Sequence, residues 1–141
     1  MLSEIKRCAM REFSSVSEYV YYSLILEAEH SALSKFFGGA ALDAVERFRR
    51  LCGIIVSLGG DPAINMQIRQ SRAALYCRDA LTQERIVRIL RSAEQSERRG
   101  IYALERVSKM MSECDEARQG TERIAREKNE LAITLERFLN S

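Results

Sequence analysis

Apolar residues recur every three or four positions along most of the chain, and no window of strict alternation competes with that period, so the elements predicted are helices. Between Glu4 and Phe37 there is no glycine or proline, which predicts one long first helix closed by Gly38-Gly39. The tyrosine-rich stretch Val16 to Leu26 lies inside that window, which is too long for a strand. A second run extends from Ala40 to Leu58. Gly59-Gly60-Asp61-Pro62 stops it, because glycine caps a helix C-terminus and proline cannot continue one. Ala63 to Ala80 has weak periodicity and reads as a crossover connection, with room for a short helix from Ser71 to Ala80. Thr82 is an N-cap for a third helix running to about Ser112. Ser112-Glu113-Cys114-Asp115 makes a turn, and a fourth helix continues to about Phe138. The plan is an all-α four-helix bundle with one long crossover between helices 2 and 3.

Composition narrows this reading without changing it. A chain of 141 residues suits one domain, 1–141, and 46% apolar content is enough for a buried core. No run of 18 apolar residues occurs, and Met1-Leu2-Ser3-Glu4-Ile5-Lys6 lacks a signal-peptide core, so a soluble cytoplasmic protein with no membrane partner is expected. Of the 22 basic residues 18 are arginine, but they are spread over every helix and the net charge is only +2, which argues against a nucleic-acid binder. Cys8, Cys52, Cys77 and Cys114 form no C-x-x-C pair. With a single histidine, His30, a Cys/His zinc site is not expected, and the cysteines read as reduced, mostly buried thiols. His30 is assigned a structural or surface role, and Tyr19, Tyr21, Tyr22 and Tyr102 read as core filler.

The informative feature is where carboxylates interrupt apolar stripes. In the third helix Leu90, Ala93, Leu104, Val107 and Met111 form the inward series, and Glu97 falls within it at heptad spacing. In the fourth, Ile124, Leu131, Leu135 and Phe138 form the series, with Glu127 between the first two. An ionised carboxylate in a bundle core demands a cation, a proton or hydrogen bonds. Glu94 and Glu130 stand three residues from these, so each pair can aim at one point. The midpoint of 97 and 127 is 112, as is that of 94 and 130, and 112 is the predicted turn. Four carboxylates converging halfway along a bundle is how oxygen-rich sites for iron or manganese are built.

These residues resemble a known group. Ile54-Ile55-Val56-Ser57-Leu58-Gly59-Gly60-Asp61-Pro62 is similar to the end of the second helix in bacterioferritins and rubrerythrins. Glu94 to Tyr102, and Glu127-Lys128-Asn129-Glu130-Leu131 through Leu135-Glu136, resemble their third and fourth helices. The resemblance implies a ferritin-like bundle with two iron or manganese ions, acting on ferrous iron, oxygen or peroxide. It implies Glu97, Glu127, Glu130 and Glu94 as ligands. The first half departs from the family's pattern: Glu46-Arg47-Phe48-Arg49 carries arginine where E-x-x-H needs histidine, and a second register puts Ala44 and Arg47 there. Glu18 is the best first-helix match, although one alignment puts Ser14 at that position. The midpoint of Glu18 and Glu46 is 32, ahead of the glycine turn, and Glu29 lies nearer the depth of Glu46.

Two functions follow as expectations. One is a dinuclear metal oxidoreductase with Glu97, Glu127, Glu130, Glu94, Glu18 and Glu46 as its ligand set. The other is a metal-free, degenerate bundle in which Arg47 or Arg49 replaces the cations, serving as a structural or interaction module. A homo-oligomer, a dimer, is expected in either case.

Overall fold

The computed structural model describes residues 1–62, 82–111 and 115–141, and these form four helices with no strand among them. They are α1 (Leu2–Leu26), α2 (Ser31–Ser57), α3 (Gln83–Met110) and α4 (Asp115–Leu139). The expected crossover at 63–80, with its short helix, and most of the expected turn at 112–115 lie outside the described residues.

Two helix ends follow local chemistry. At the end of α2 the Gly60 N–H donates to the Ile55 carbonyl (2.9 Å) and the Gly59 N–H to that of Val56 (3.0 Å). This Schellman arrangement needs a left-handed residue, and Gly59 supplies it with φ 82°. At the start of α3 the Thr82 hydroxyl accepts from the Arg85 N–H at 3.2 Å, as the sequence predicts.

The first hairpin corrects the sequence reading. Its turn is not at Gly38-Gly39 but at 27–30, and both glycines lie inside α2. The turn contains no glycine or proline. His30 caps α2 through Nδ1, which accepts from the Leu33 N–H at 3.3 Å. Across the hairpin the Ser34 hydroxyl donates to the Ser23 carbonyl (2.7 Å), and the Ser23 hydroxyl to the Ser34 carbonyl (2.9 Å). A Cβ on Gly38 would sit 3.4 Å from Ser23 Oγ, an ordinary contact, so neither a turn nor close packing requires glycine there. Tyr21 and Tyr102 also depart from expectation, as both are exposed, whereas Tyr19 and Tyr22 are core residues.

The core has two apolar ends. One joins the C-terminal part of α1, the N-terminal parts of α2 and α3, and the C-terminal part of α4, around Tyr19, Tyr22, Phe37, Leu90 and Leu135. Tyr22 and Phe37 pack with ring centroids 5.2 Å apart, and Phe36 and Phe138 at 5.1 Å. The other end joins the opposite termini around Ile5, Leu51, Ile55, Leu104 and Ile124. α1 and α4 therefore run one way, and α2 and α3 the other.

Candidate functional site: a charged layer between two apolar ends

Between the two apolar ends each helix contributes one buried charge. Glu12 (α1) is 1% exposed, Arg47 (α2) 3%, Glu97 (α3) 1% and Lys128 (α4) 2%. Helical periodicity puts them there. Glu12 lies in the inward series Ile5, Cys8, Glu12, Ser15, Tyr19, Tyr22, and Arg47 in Ala40, Ala44, Arg47, Leu51, Ile55. On α4 the inward series is Ala117, Thr121, Ile124, Lys128, Ala132, Leu135.

The four charges form a chain. Arg47 Nε donates to Glu12 Oε2 at 3.1 Å, and Lys128 Nζ donates to Glu12 Oε1 at 2.5 Å. Nζ also lies 2.7 Å from Glu97 Oε2, an ion pair without hydrogen-bond alignment. The Tyr19 hydroxyl donates to Glu97 Oε1. Two acids and two bases leave the layer neutral, the condition under which buried charge is tolerated. Arg47 Nη2 has no acceptor among the described residues.

Electrostatics favours these ionic forms. Burial alone disfavours a charged Arg47, but Glu12, and after it Glu97, outweigh that and raise its pKa. Tyr19 is held well above the ordinary phenol range, first by burial and then by the charge of Glu97, so it remains a donor. Neighbouring Cys8 is pushed up to about 11 by burial. It is a free, buried thiol, while free Cys52 is half-buried; the other two cysteines lie outside the described residues.

Space for Lys128 comes from α3. A Cβ on Gly100 would lie 2.8 Å from Lys128 Cε and 3.1 Å from Nζ. A helix-interior glycine costs about 1 kcal/mol relative to alanine, and here it opens the path by which the ammonium reaches both acids.

Of the six carboxylates singled out from sequence, only Glu97 enters this layer. Glu127 does not face inward: its side chain is 41% exposed and pairs with Arg50 of α2. The inward phase of α4 is set by Thr121, Ile124 and Lys128, one residue beyond the phase that included Glu127. Glu130 is exposed. Glu94 is half-buried and pairs with Arg98 along its own helix at 3.0 Å. Glu18 is half-buried on α1. Glu46 is exposed and lies 3.6 Å from exposed Arg49, so Arg47 rather than Arg49 is the arginine that points into the core. Glu29, in the turn, is exposed.

Sequence reasoning missed Glu12 and Lys128. Glu12 carried a signal, since it sits squarely in the apolar stripe of α1. Lys128 did not, because Ile124 and Leu135 fit its phase and that of Glu127 alike.

The donors available in this layer do not suit a dinuclear metal centre. Divalent iron or manganese asks for several carboxylate or imidazole ligands, whereas here two carboxylates are engaged by two fixed cations. Among the described residues no three His, Cys, Asp or Glu side chains converge as a metal requires. No family model matches the chain, and no curated protein matches it. No helix among the described residues is long and apolar enough to cross a membrane.

Proposed function

We propose that this chain is a ferritin-like bundle in which a charge quartet stands where such folds hold metal, and that it serves as a structural or interaction module. The observation carrying this reading is the position of Lys128 Nζ, within 2.7 Å of carboxylates from two different helices. An ammonium there supplies the positive charge that a metal would supply, and Arg47 supplies the remainder. The helix directions support the ferritin-like layout. α2 and α3 start from the same end of the bundle, as the second and third helices of a ferritin-like bundle do.

The test is elemental analysis for iron and manganese after anaerobic loading with ferrous iron. The expected result is less than one ion per chain. Two ions per chain, lost in both Glu97→Ala and Glu127→Ala, would overturn the reading in favour of a dinuclear oxidoreductase.

A further inference from the structure

α2 carries a second heptad-spaced seam besides the one it buries. The core takes Phe37, Ala44, Leu51 and Ile55, whereas Leu42, Val45, Arg49, Cys52 and Val56 follow one another at alternating three- and four-residue steps on another face. Leu42 is 73% exposed, and Val45 and Val56 are exposed as well. From α1, exposed Phe13, Val20 and Leu24 lie at seven- and four-residue steps. Phe13 packs against Phe48 of α2 with ring centroids 5.4 Å apart, which joins the two stripes into one surface. A helix that carries a second apolar face beside the one it buries has more apolar surface than one bundle can cover.

We propose that this outer face of the α1–α2 hairpin binds a second copy of the chain, forming a two-fold dimer. Size and charge both favour that occupant. A face two helices wide and about 25 residues long measures roughly 37 by 20 Å from helix dimensions, close to the roughly 800 Å² per partner of a standard stable interface. Its two ends also differ in charge. Glu27 and Glu29 stand at the turn end, where Lys35 only partly offsets them, and Lys6 and Arg49 stand at the other, where Glu46, 3.6 Å from Arg49, only partly offsets them. A two-fold axis through the middle of the face lays the acidic end of one copy over the basic end of its partner, the self-complementarity an isologous contact requires. Dimer formation through this face does not depend on metal content, so it and the proposed function can fail separately.

Analytical ultracentrifugation of the full chain tests it. The expected species is a dimer of 16.1 kDa chains, converted to monomer by Leu42→Glu with Val45→Glu. Circular dichroism is expected to show unchanged helicity in that variant, because both side chains already face solvent. Tyr102→Glu, on exposed α3 surface, is expected to leave the dimer intact. A wild-type monomer at tens of micromolar, or a dimer that survives the double substitution, would overturn the proposal. So would a monomer that co-floats with phosphatidylcholine–phosphatidylglycerol vesicles, which would assign the face to lipid.

Discussion

The two hairpins treat charge differently on the outside and alike on the inside. α1 and α2 carry six charged residues each, and α3 and α4 carry eleven each. The second hairpin covers its surface with short-range pairs, such as Arg88 with Glu84 at 2.8 Å and Arg118 with Glu122 at 3.0 Å. The first leaves Leu24, Leu42 and Val56 facing outward instead. Yet each hairpin sends one acid and one base inward, Glu12 with Arg47 and Glu97 with Lys128. The inner charges are thus a property of the layer where four helices meet, and the outer ones belong to each hairpin's own surroundings. The inner pairs are also unequal: Arg47 bonds one carboxylate, while Lys128 reaches both.

That inequality is the first thing to break. Lys128→Met leaves two buried carboxylates with one base, and is expected to cost about 3–5 kcal/mol in urea unfolding. Arg47→Met is expected to cost less, because Lys128 still bridges both acids. Equal losses would contradict the hub position of Lys128. Gly100→Ala comes next. It improves helix propensity yet drives a methyl into the lysine stem, so a net loss of about 1–3 kcal/mol is expected. Gly39→Ala on α2 meets nothing within 4 Å, and is expected to stabilise by about 0.4–1 kcal/mol. Opposite signs for the two glycines would isolate the lysine path as the reason for Gly100.

The pH dependence is more modest. Cys8 is raised from 9.0 to about 11 by burial, and Tyr19 is raised for the same leading reason. A group with a raised folded-state pKa contributes stability that is full below its unfolded value and lost as pH rises towards the folded one. The thermal midpoint is therefore expected to fall between pH 9 and 11, and Cys8→Ala to flatten that portion. A curve unchanged by the substitution would show that the thiol is not the group responsible. The smallest effect is expected at the surface: Glu94→Ala loses an ion pair with exposed Arg98, worth under about 0.5 kcal/mol in thermal or urea unfolding. A loss as large as that of an inner charge would erase the distinction between the two kinds of site.

Much of the fold was legible because it is local. Gly59-Gly60-Asp61-Pro62 ends a helix through its own backbone geometry, and Thr82 starts one through its own hydroxyl. The turn at 27–30 was not legible, since no residue in it breaks a helix. Ser23 and Ser34 exchange hydrogen bonds across it and His30 caps the helix that follows, while Gly38 lies inside α2. At the site, Glu97 was legible from its stripe. Lys128 was not, because Glu127 and Lys128 differ by about 100° of helix rotation, and Ile124 and Leu135 fit either phase.

The amino-acid sequence alone determined that the chain is helical, where α2 stops and α3 starts, and that Glu97 interrupts an apolar face. Each of these depends on residues within a few positions of one another. Only the tertiary structure decided which charges meet, because Glu12 and Lys128 are 116 positions apart. Their contact depends on the phase and depth of all four helices and on the space left by a missing side chain at Gly100.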